Sequence, residues 1–404
     1  MMDRIQWEAN KMQGKEKTST DFLSEKEIQK AKQFHQSFPE YSITPLRSLN
    51  NLAKFLGVAG IYVKDESYRF GLNAFKVLGG SFAMAKYLAQ KLGKDISELD
   101  YPTLTSDETR RQLGEITFAT TTDGNHGRGV AWTANRLKQK SVVYMPKGSS
   151  ITRLENIRAE GSDASIVDMN YDDAVRLTAE NAQKYGWIVV QDTAWEGYEE
   201  IPTWIMQGYG TMAAEAWEQL RQIQVEKPTH VFVQAGVGSL AGAVQGYFAS
   251  VFGKDCPKTV IAEADKADCL YKSALANDGK PRVVGGDMDT IMAGLACGEP
   301  NIIGWKVLRD YSEMFFSCPD WLAAKGMRVL GNPVLDDLRV ISGESGAVTT
   351  GLLFELMTSP DLAEAKAKLG LNQDSQILLF NTEGDTDPDH YRSVVWDGKN
   401  PSYR

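Results

Sequence analysis

The sequence predicts an α/β protein with mostly parallel sheets arranged in two lobes. Short β-rich runs alternate with longer segments of helical period along most of the chain. These runs are nearly continuous in apolar residues, which is typical of strands buried on both faces. At 404 residues the chain is longer than one hydrophobic core usually supports, so about two domains are expected. The cleft between two lobes is a common place for an active site.

The predicted elements follow one another as strand and helix. Residues 1–23 are polar and unpatterned, which indicates a loosely held arm. Ser24 and Glu27 then form a predicted capping box for a helix that ends near Phe38. The β-rich runs lie at residues 61–63, 116–119, 142–145, 188–190, 230–233, 260–262 and 377–380. The segments of helical period lie at residues 75–92, 127–139, 151–160, 171–185, 204–223, 239–252 and 345–358.

Composition excludes several classes of function. The chain carries 44 Lys and Arg against 53 Asp and Glu, with no long basic run, so neither nucleic acid nor an anionic membrane is an expected partner. No apolar stretch approaches the roughly 20 residues that span a bilayer. The four cysteines lie far apart, and neither they nor the four histidines show a zinc-ligand spacing, so no metal is expected. Sparse cysteine and a start without the apolar core of a signal peptide predict a cytoplasmic protein.

Lys76 is the first candidate for chemistry. It stands alone in an otherwise uncharged, mostly apolar run from Phe70 to Met84. Apolar surroundings disfavour an ammonium ion, and a neutral lysine amine is the nucleophile that forms a Schiff base. On residue type alone, a lysine that extends from a partly buried helix to solvent is the simpler explanation, so other segments must decide.

A glycine-rich turn follows the strand at 230–233. Residues 236–242 read Gly-Val-Gly-Ser-Leu-Ala-Gly and open a helix, an arrangement in which backbone amides can approach a phosphate. The same turn fits the dinucleotide pattern Gly-x-Gly-x-x-Ala, and Glu263 ends the next strand where a ribose-binding acid would stand. A nicotinamide-dependent oxidoreductase is therefore an alternative, and glycines that serve only close helix packing are another.

Polar residues are concentrated where a second strand ends. The run 120–129 reads Thr-Thr-Thr-Asp-Gly-Asn-His-Gly-Arg-Gly and contains no aliphatic side chain. Open α/β sheets bind ligands at the carboxyl ends of their strands, so this density predicts a small polar ligand. Helix capping explains Asp123 or Asn125 singly but not the whole run.

Two further polar loops lie at residues 342–346 and 382–387, although each could be a simple turn. A nicotinamide site would need only one glycine loop and its acid. A single phosphate-bearing cofactor bonded to Lys76 would give a role to Lys76, to the glycine-rich turn and to each of the polar loops.

These segments resemble the fold-type II enzymes that use pyridoxal 5'-phosphate, the group of threonine dehydratase and the tryptophan synthase β chain. More closely, the chain resembles the family of diaminopropionate ammonia-lyases, over about residues 40–397. The segments that carry the resemblance are 63–67, 70–84, 121–129, 145–148, 168–173, 191–198, 236–242, 294–300 and 382–387.

The resemblance implies a role for each matching residue in holding the cofactor. Lys76 would form the Schiff base, and Asn125 would hydrogen-bond the cofactor's ring hydroxyl. Thr382 would face the pyridine nitrogen and leave it largely unprotonated, which favours prompt β-elimination. The phosphate would be held by the glycine loop, that is, by Gly236, Val237, Gly238 and Ser239.

The resemblance also implies the reaction, which is α,β-elimination of D- and L-2,3-diaminopropionate to pyruvate and two ammonia. Asp123 departs from the dehydratases, in which serine is common at that position. A carboxylate is a base, so Lys76 and Asp123 could take the Cα proton from opposite enantiomers. Asp192 and Asp123 are the candidates for recognising the β-ammonium group of the substrate, with Thr122 as a further substrate contact. Asp192 could equally be a turn residue at the end of its strand. A serine or threonine dehydratase-type lyase is the nearest alternative.

Two expectations concern the organisation of the molecule. Residues 1–75 and 200–404 would form a large cofactor-binding domain, and residues 76–199 would form a small domain that carries the Asn125 loop. The resemblance further implies a homodimer.

Overall fold

The computed structural model describes residues 4–14, 16–122 and 124–402. Eleven strands lie in this part of the chain. They are β1 (Gln6–Ala9), β2 (Leu46–Ser48), β3 (Gly60–Asp65), β4 (Thr117–Thr121), β5 (Lys140–Met145), β6 (Asp163–Ile166), β7 (Ile188–Val189), β8 (His230–Gln234), β9 (Lys258–Ala264), β10 (Met314–Cys318) and β11 (Gln376–Asn381).

Sixteen α-helices connect these strands within the same ranges. They are α1 (Glu25–Gln36), α2 (Asn50–Leu56), α3 (Val77–Lys91), α4 (Tyr101–Leu104), α5 (Asp107–Leu113), α6 (Asn125–Arg136), α7 (Ile151–Ala159), α8 (Tyr171–Tyr185), α9 (Glu200–Gln222), α10 (Ser239–Phe252), α11 (Cys269–Ala276), α12 (Ile302–Tyr311), α13 (Asp320–Gly331), α14 (Glu344–Thr358), α15 (Ala363–Leu369) and α16 (Pro388–Val395). No helix in the described ranges is both long enough and apolar enough to cross a membrane.

The strands form two sheets. The larger has seven strands in the order β1-β10-β9-β8-β11-β3-β2, antiparallel only at its two edge pairs. The smaller has four parallel strands in the order β6-β5-β4-β7. Most neighbouring strands in both sheets are parallel, and parallel neighbours must be joined by crossover connections, which the helices supply here. The predicted α/β class with mostly parallel sheets is therefore confirmed.

The N-terminal segment differs from the predicted loose arm. Within its described residues, β1 pairs antiparallel with β10, and the amide of Thr18 donates to the Asp310 carboxylate at 2.7 Å. The backbone of Asn10 also donates to Glu313 O at 2.9 Å. The four residues of β1 pair with a strand some 300 positions away and carry no local signal of that pairing. The prediction of a loosely held arm is therefore wrong for the described residues 4–14 and 16–23.

The capping box predicted at Ser24 is also wrong. Helix α1 does begin after Ser24, and its first turn carries Glu25 and Glu27 as expected. However, the Ser24 side chain makes no capping hydrogen bond. The start of α1 instead follows a single 3-10 turn, Asp21–Leu23, in which Leu23 is fully buried.

A buried ionic network fixes the segment that precedes Lys76. Lys64 Nζ on β3 lies 2.6 Å from Glu215 Oε2 on α9, and Arg69 Nη2 lies 2.7 Å from the same oxygen. Arg69 Nε also pairs with Glu66 at 2.8 Å, and all four side chains are fully buried. Buried charges are tolerated only when paired in this way, so the network fixes the loop from β3 to α3 against α9.

Close helix packing then sets the position of Lys76 itself. Lys76 immediately precedes α3, which lies against α9 and α6. A Cβ on Gly79 would come within 2.5 Å of the Tyr209 ring on α9, so only glycine permits this approach. The first turn of α3 is consequently held at the edge of a cavity.

Candidate active site

A cavity lies where β8 and β11 of the larger sheet end, beside the start of α3 and the start of α6. It measures about 640 Å³ including the solvent space at its open mouth. The predicted site residues that line it are Lys76, Asn125, Asp192, Gly236, Val237, Gly238, Ser239 and Thr382. Residues separated by more than 300 positions in sequence therefore meet around one space.

Of the predicted site residues that the structure describes, Thr122 does not line this cavity. Thr122 is buried, and its hydroxyl accepts hydrogen bonds from the amides of Gly124 at 2.9 Å and Gly127 at 3.1 Å. These bonds commit its side chain to the start of α6, so the substrate contact of Thr122 stays a prediction without support from the geometry. Asp123 lies outside the described residues, and its role also stays a prediction.

Lys76 and Asp192 form an ion pair across the cavity wall. Lys76 Nζ donates to Asp192 Oδ2, and the Asp192 side chain is only 9% exposed. Burial alone would lower the pKa of the lysine, but attraction to the Asp192 carboxylate outweighs burial and raises that pKa. The apolar neighbours of Lys76 in sequence disfavour its ammonium form, whereas the Asp192 carboxylate, 116 positions away, favours it.

Asp192 remains ionised at any physiological pH. Burial opposes its charge, yet the Lys76 ammonium and, after it, His126 hold the pKa of the carboxyl at about 2. His126 Nδ1 lies 4.0 Å from Asp192 Oδ2, and its Nε2 donates to the carbonyl oxygen of Val190 at 2.8 Å. The cavity thus contains an ionised carboxylate able to bind an ammonium group.

The glycine loop presents free backbone amides. In the part of the chain that the structure describes, the N–H groups of Gly236, Val237, Gly238 and Ser239 donate no hydrogen bond, and α10 begins at Ser239. Gly238 has φ +98°, a left-handed conformation that side chains rarely adopt. The hydroxyl of Ser239 accepts from Asn301 Nδ2 at 2.7 Å. Unbonded amides at a helix start form a cradle for an anionic oxygen group.

Glu383 and Gln234, which the sequence analysis did not name as site residues, also line the cavity. Asn125 Nδ2 donates to Glu383 Oε2 at 2.6 Å, and the amide of Ser345 donates to Glu383 Oε1 at 3.3 Å. Burial, and then repulsion from Glu344, raise the pKa of Glu383 to about 7. Gln234 Nε2 donates to the hydroxyl of Thr382 at 2.7 Å.

A usable signal existed for these missed residues. Gln234 is a polar residue that ends an otherwise apolar strand, and Glu383 follows Thr382 directly in a polar loop. Both positions are carboxyl ends of parallel strands, where ligand-binding side chains are concentrated.

These groups fit pyridoxal phosphate. The amide cradle suits its phosphate, the Lys76 amine suits its aldehyde carbon, and the Thr382 hydroxyl suits a ring nitrogen. Ser345 Oγ, which lines the cavity, is buried and has no hydrogen-bond partner within the described ranges, so it remains available to a ligand.

The nicotinamide alternative fails at Glu263. This carboxyl group is fully buried and accepts hydrogen bonds from the amides of Leu270 at 2.8 Å and Tyr271 at 2.6 Å. Glu263 therefore caps the start of α11 and does not line the cavity, where a ribose-binding acid would have to lie.

Comparison with known proteins agrees with this geometry. A model of the family "Pyridoxal-phosphate dependent enzyme" matches residues 38–369. Diaminopropionate ammonia-lyase from Escherichia coli (strain K12) is 54% identical over 382 residues, covering 94% of each chain. A crystal structure of the Escherichia coli enzyme in complex with D-serine superposes with a TM-score of 0.92 at 51% identity, covering 98% of each chain. Another, in complex with an aminoacrylate-PLP azomethine reaction intermediate, gives a TM-score of 0.90 at 51% identity and the same coverage.

Proposed function

Because this chain belongs to the pyridoxal-phosphate dependent enzymes and, within them, to the diaminopropionate ammonia-lyase family, we propose that it converts D- and L-2,3-diaminopropionate to pyruvate and ammonia. The observation that carries the proposal is the cavity itself, in which Lys76, the amide cradle of the glycine loop and Thr382 meet. The overall reaction consumes one water and releases one pyruvate and two ammonium ions, so protons and charge balance.

The residues of the cavity would hold the cofactor as follows. Lys76 would bind it covalently, the amides of residues 236–239 would bind the phosphate, and Asn125 and Thr382 would bind the ring. Pyridoxal phosphate, when bound, supplies an electron-withdrawing ring that accepts electron density from Cα of the substrate. Asn125 retains one amide N–H for the ring hydroxyl, since the other donates to Glu383.

The protein must also move two protons. One base removes the Cα proton, Lys76 Nζ for one enantiomer and the Asp123 carboxylate for the other. The Cβ–N bond then breaks, and the leaving nitrogen takes the bonding electrons with it. That nitrogen must depart protonated, and the base that has just gained the Cα proton is the nearest acid.

A substrate trial tests the proposed function directly. We expect the purified protein with pyridoxal phosphate to absorb near the edge of the visible range and to lose that band on borohydride treatment. We expect pyruvate and ammonia in a ratio of one to two from both enantiomers of diaminopropionate, and much slower turnover of serine and threonine. Faster turnover of serine or threonine would make the protein a dehydratase, and absence of the band would refute the cofactor.

We propose that Asp192 recognises the β-ammonium group of the substrate. Its carboxylate already binds one ammonium ion, that of Lys76, and can bind the substrate's in the same place. Losing one partner of a buried ion pair costs about 2–5 kcal/mol. Asp192→Asn is therefore expected to lower kcat/KM for diaminopropionate by at least about 30-fold.

Serine supplies the internal control for Asp192, because it carries a hydroxyl group where diaminopropionate carries the ammonium. The loss with serine should be much smaller than the loss with diaminopropionate. Asp168→Asn, which removes a carboxylate that is 84% exposed, should change neither rate. Equal losses with both substrates would mean that Asp192 only positions Lys76.

We further propose that the protein is a cytoplasmic homodimer. Family membership supports the dimer, and the net charge of −9 with no basic run gives no affinity for an anionic surface. Light scattering coupled to size-exclusion chromatography measures the mass directly, and a mass near 44.7 kDa would indicate a monomer.

A further inference from the structure

Gln234 and Thr382 meet where two neighbouring parallel strands end. Gln234 is the last residue of β8, Thr382 follows the last residue of β11, and β8 pairs with β11 in the larger sheet. Both residues line the cavity, and their exposed fractions are only 1% and 3%.

The hydrogen bonds around Gln234 define which way its amide points. Nε2 lies 3.1 Å from the carbonyl oxygen of Phe380 and 2.7 Å from Thr382 Oγ1. A carbonyl oxygen only accepts, so the atom that faces Phe380 must be the amide nitrogen. Turning the amide over would bring two oxygens together with no hydrogen between them. Gln234 is therefore a donor to the hydroxyl of Thr382.

This bond determines what Thr382 can do. Its oxygen accepts from Gln234, and within the described ranges its own proton is donated to no protein group. A hydroxyl group that already accepts keeps its proton for a second partner, here one inside the cavity. Thr382 is thus prepared to donate a hydrogen bond into the cavity.

We propose that Gln234 is a positioning residue that makes Thr382 a hydrogen-bond donor to the cofactor's ring nitrogen. The proposal rests on the proposed function, in which Thr382 faces that nitrogen. A nitrogen that receives a hydrogen bond must present its lone pair, so it remains unprotonated. Gln234 in this way sets how strongly the cofactor withdraws electrons, although it acts through Thr382.

The unpaired side of Gln234 supports a donor role over simple packing. In the described part of the chain its Oε1 is buried and has no hydrogen-bond partner. Leaving a buried acceptor unpaired is unfavourable, and an apolar residue of similar size would avoid that cost. Glutamine at this position is explained if the amide N–H is needed as the donor to the Thr382 hydroxyl.

Gln234→Glu is the decisive variant, because it replaces the donor with an acceptor. The Thr382 proton would then turn towards the new carboxylate, and the hydroxyl oxygen would face the ring nitrogen. We expect the nitrogen to become protonated. The measurement is the ¹⁵N chemical shift of labelled pyridoxal phosphate bound to the protein, which should move from the value of a neutral pyridine to that of a pyridinium.

The carboxylate introduced by Gln234→Glu could also act directly on the ring nitrogen, and removal of the Thr382 hydroxyl group controls for that direct effect. If Gln234 acts through Thr382, then Gln234→Glu should change the ¹⁵N shift much less in a Thr382→Val background than in the original protein. An equal change in both backgrounds would overturn the proposal. Gln245→Glu places a carboxylate at another buried glutamine, on α10, and should leave the shift unchanged.

A second variant decides the matter if Gln234→Glu fails to fold or to bind the cofactor. Gln234→Met keeps the volume but donates nothing, so the Thr382 hydroxyl could turn either way. We expect its ¹⁵N shift to vary with pH while that of the original protein does not. An unchanged shift in Gln234→Met, or a protonated nitrogen in the original protein, would overturn the proposal. Failure of the original protein to bind pyridoxal phosphate would instead refute the proposed function.

Discussion

Replacement of Lys76 by alanine is expected to abolish pyruvate formation from both enantiomers, with a loss of more than about 1000-fold in kcat. Lys76 would be the covalent anchor of the cofactor whichever base removes the Cα proton, so its loss should stop turnover of both enantiomers. The absorbance band near the edge of the visible range should vanish in the same variant. Stopped assays of pyruvate and an absorbance scan measure the two effects.

Lys86→Ala is the matched control for this experiment. Lys86 lies within α3, the helix that begins directly after Lys76, and is half-buried, but it does not line the cavity. It should keep both the band and the activity. Retention of the band in Lys76→Ala would mean that another amine holds the cofactor, which would contradict the assignment of Lys76.

The Lys76 variant also has a consequence for stability. Lys76 is the strongest of the groups that hold the pKa of Asp192 at about 2, and without it the burial of Asp192 is opposed less and that pKa rises. An acid whose folded pKa lies above its unfolded pKa destabilises the protein at neutral pH, and the penalty disappears as pH falls below the unfolded pKa. Activity loss should therefore be measured after confirming, by urea unfolding, that the variant remains folded.

The chemistry-bearing loops could be predicted because each has a local signature. Lys76 was visible as the only charge in an apolar run, and the amide cradle as glycines between a strand and a helix. The comparable polar run before α6 placed Asn125 at the cavity. Strand ends carry the ligand-binding loops of parallel sheets, so local signatures were enough to identify these loops even though β4 and β8 belong to different sheets.

Contacts between distant segments could not be predicted in the same way. The Lys76–Asp192 pair favours the charged form of the lysine, and the neighbours of neither residue in sequence indicate this pair. The donor bond from Gln234 to Thr382 joins residues 148 positions apart. Periodicity predicts which elements form but not which side chains meet across them, so such partners require three-dimensional coordinates. The domain boundaries predicted at residues 75/76 and 199/200 likewise stay a prediction.

Asp123→Asn is expected to damage turnover of one enantiomer far more than turnover of the other. The two enantiomers present their Cα protons on opposite faces when their other groups occupy the same positions, so one base cannot serve both. Asparagine keeps the size and polarity of the side chain but cannot accept the proton. General-base catalysis contributes about 100-fold to 10,000-fold, so we expect a loss of at least about 100-fold for the affected enantiomer.

Two measurements separate this role from a shared one. Substrate deuterated at Cα should show a larger kinetic isotope effect in the variant for the affected enantiomer only, because proton removal then limits its turnover. Asp192→Asn is the matched control, since recognition of the β-ammonium group is common to both enantiomers and its loss should slow them alike. Equal losses in Asp123→Asn would assign Asp123 to binding or to protonation of the leaving nitrogen. Selective loss would make Lys76 the anchor in every turnover but the base in only half of the enzyme's substrate range.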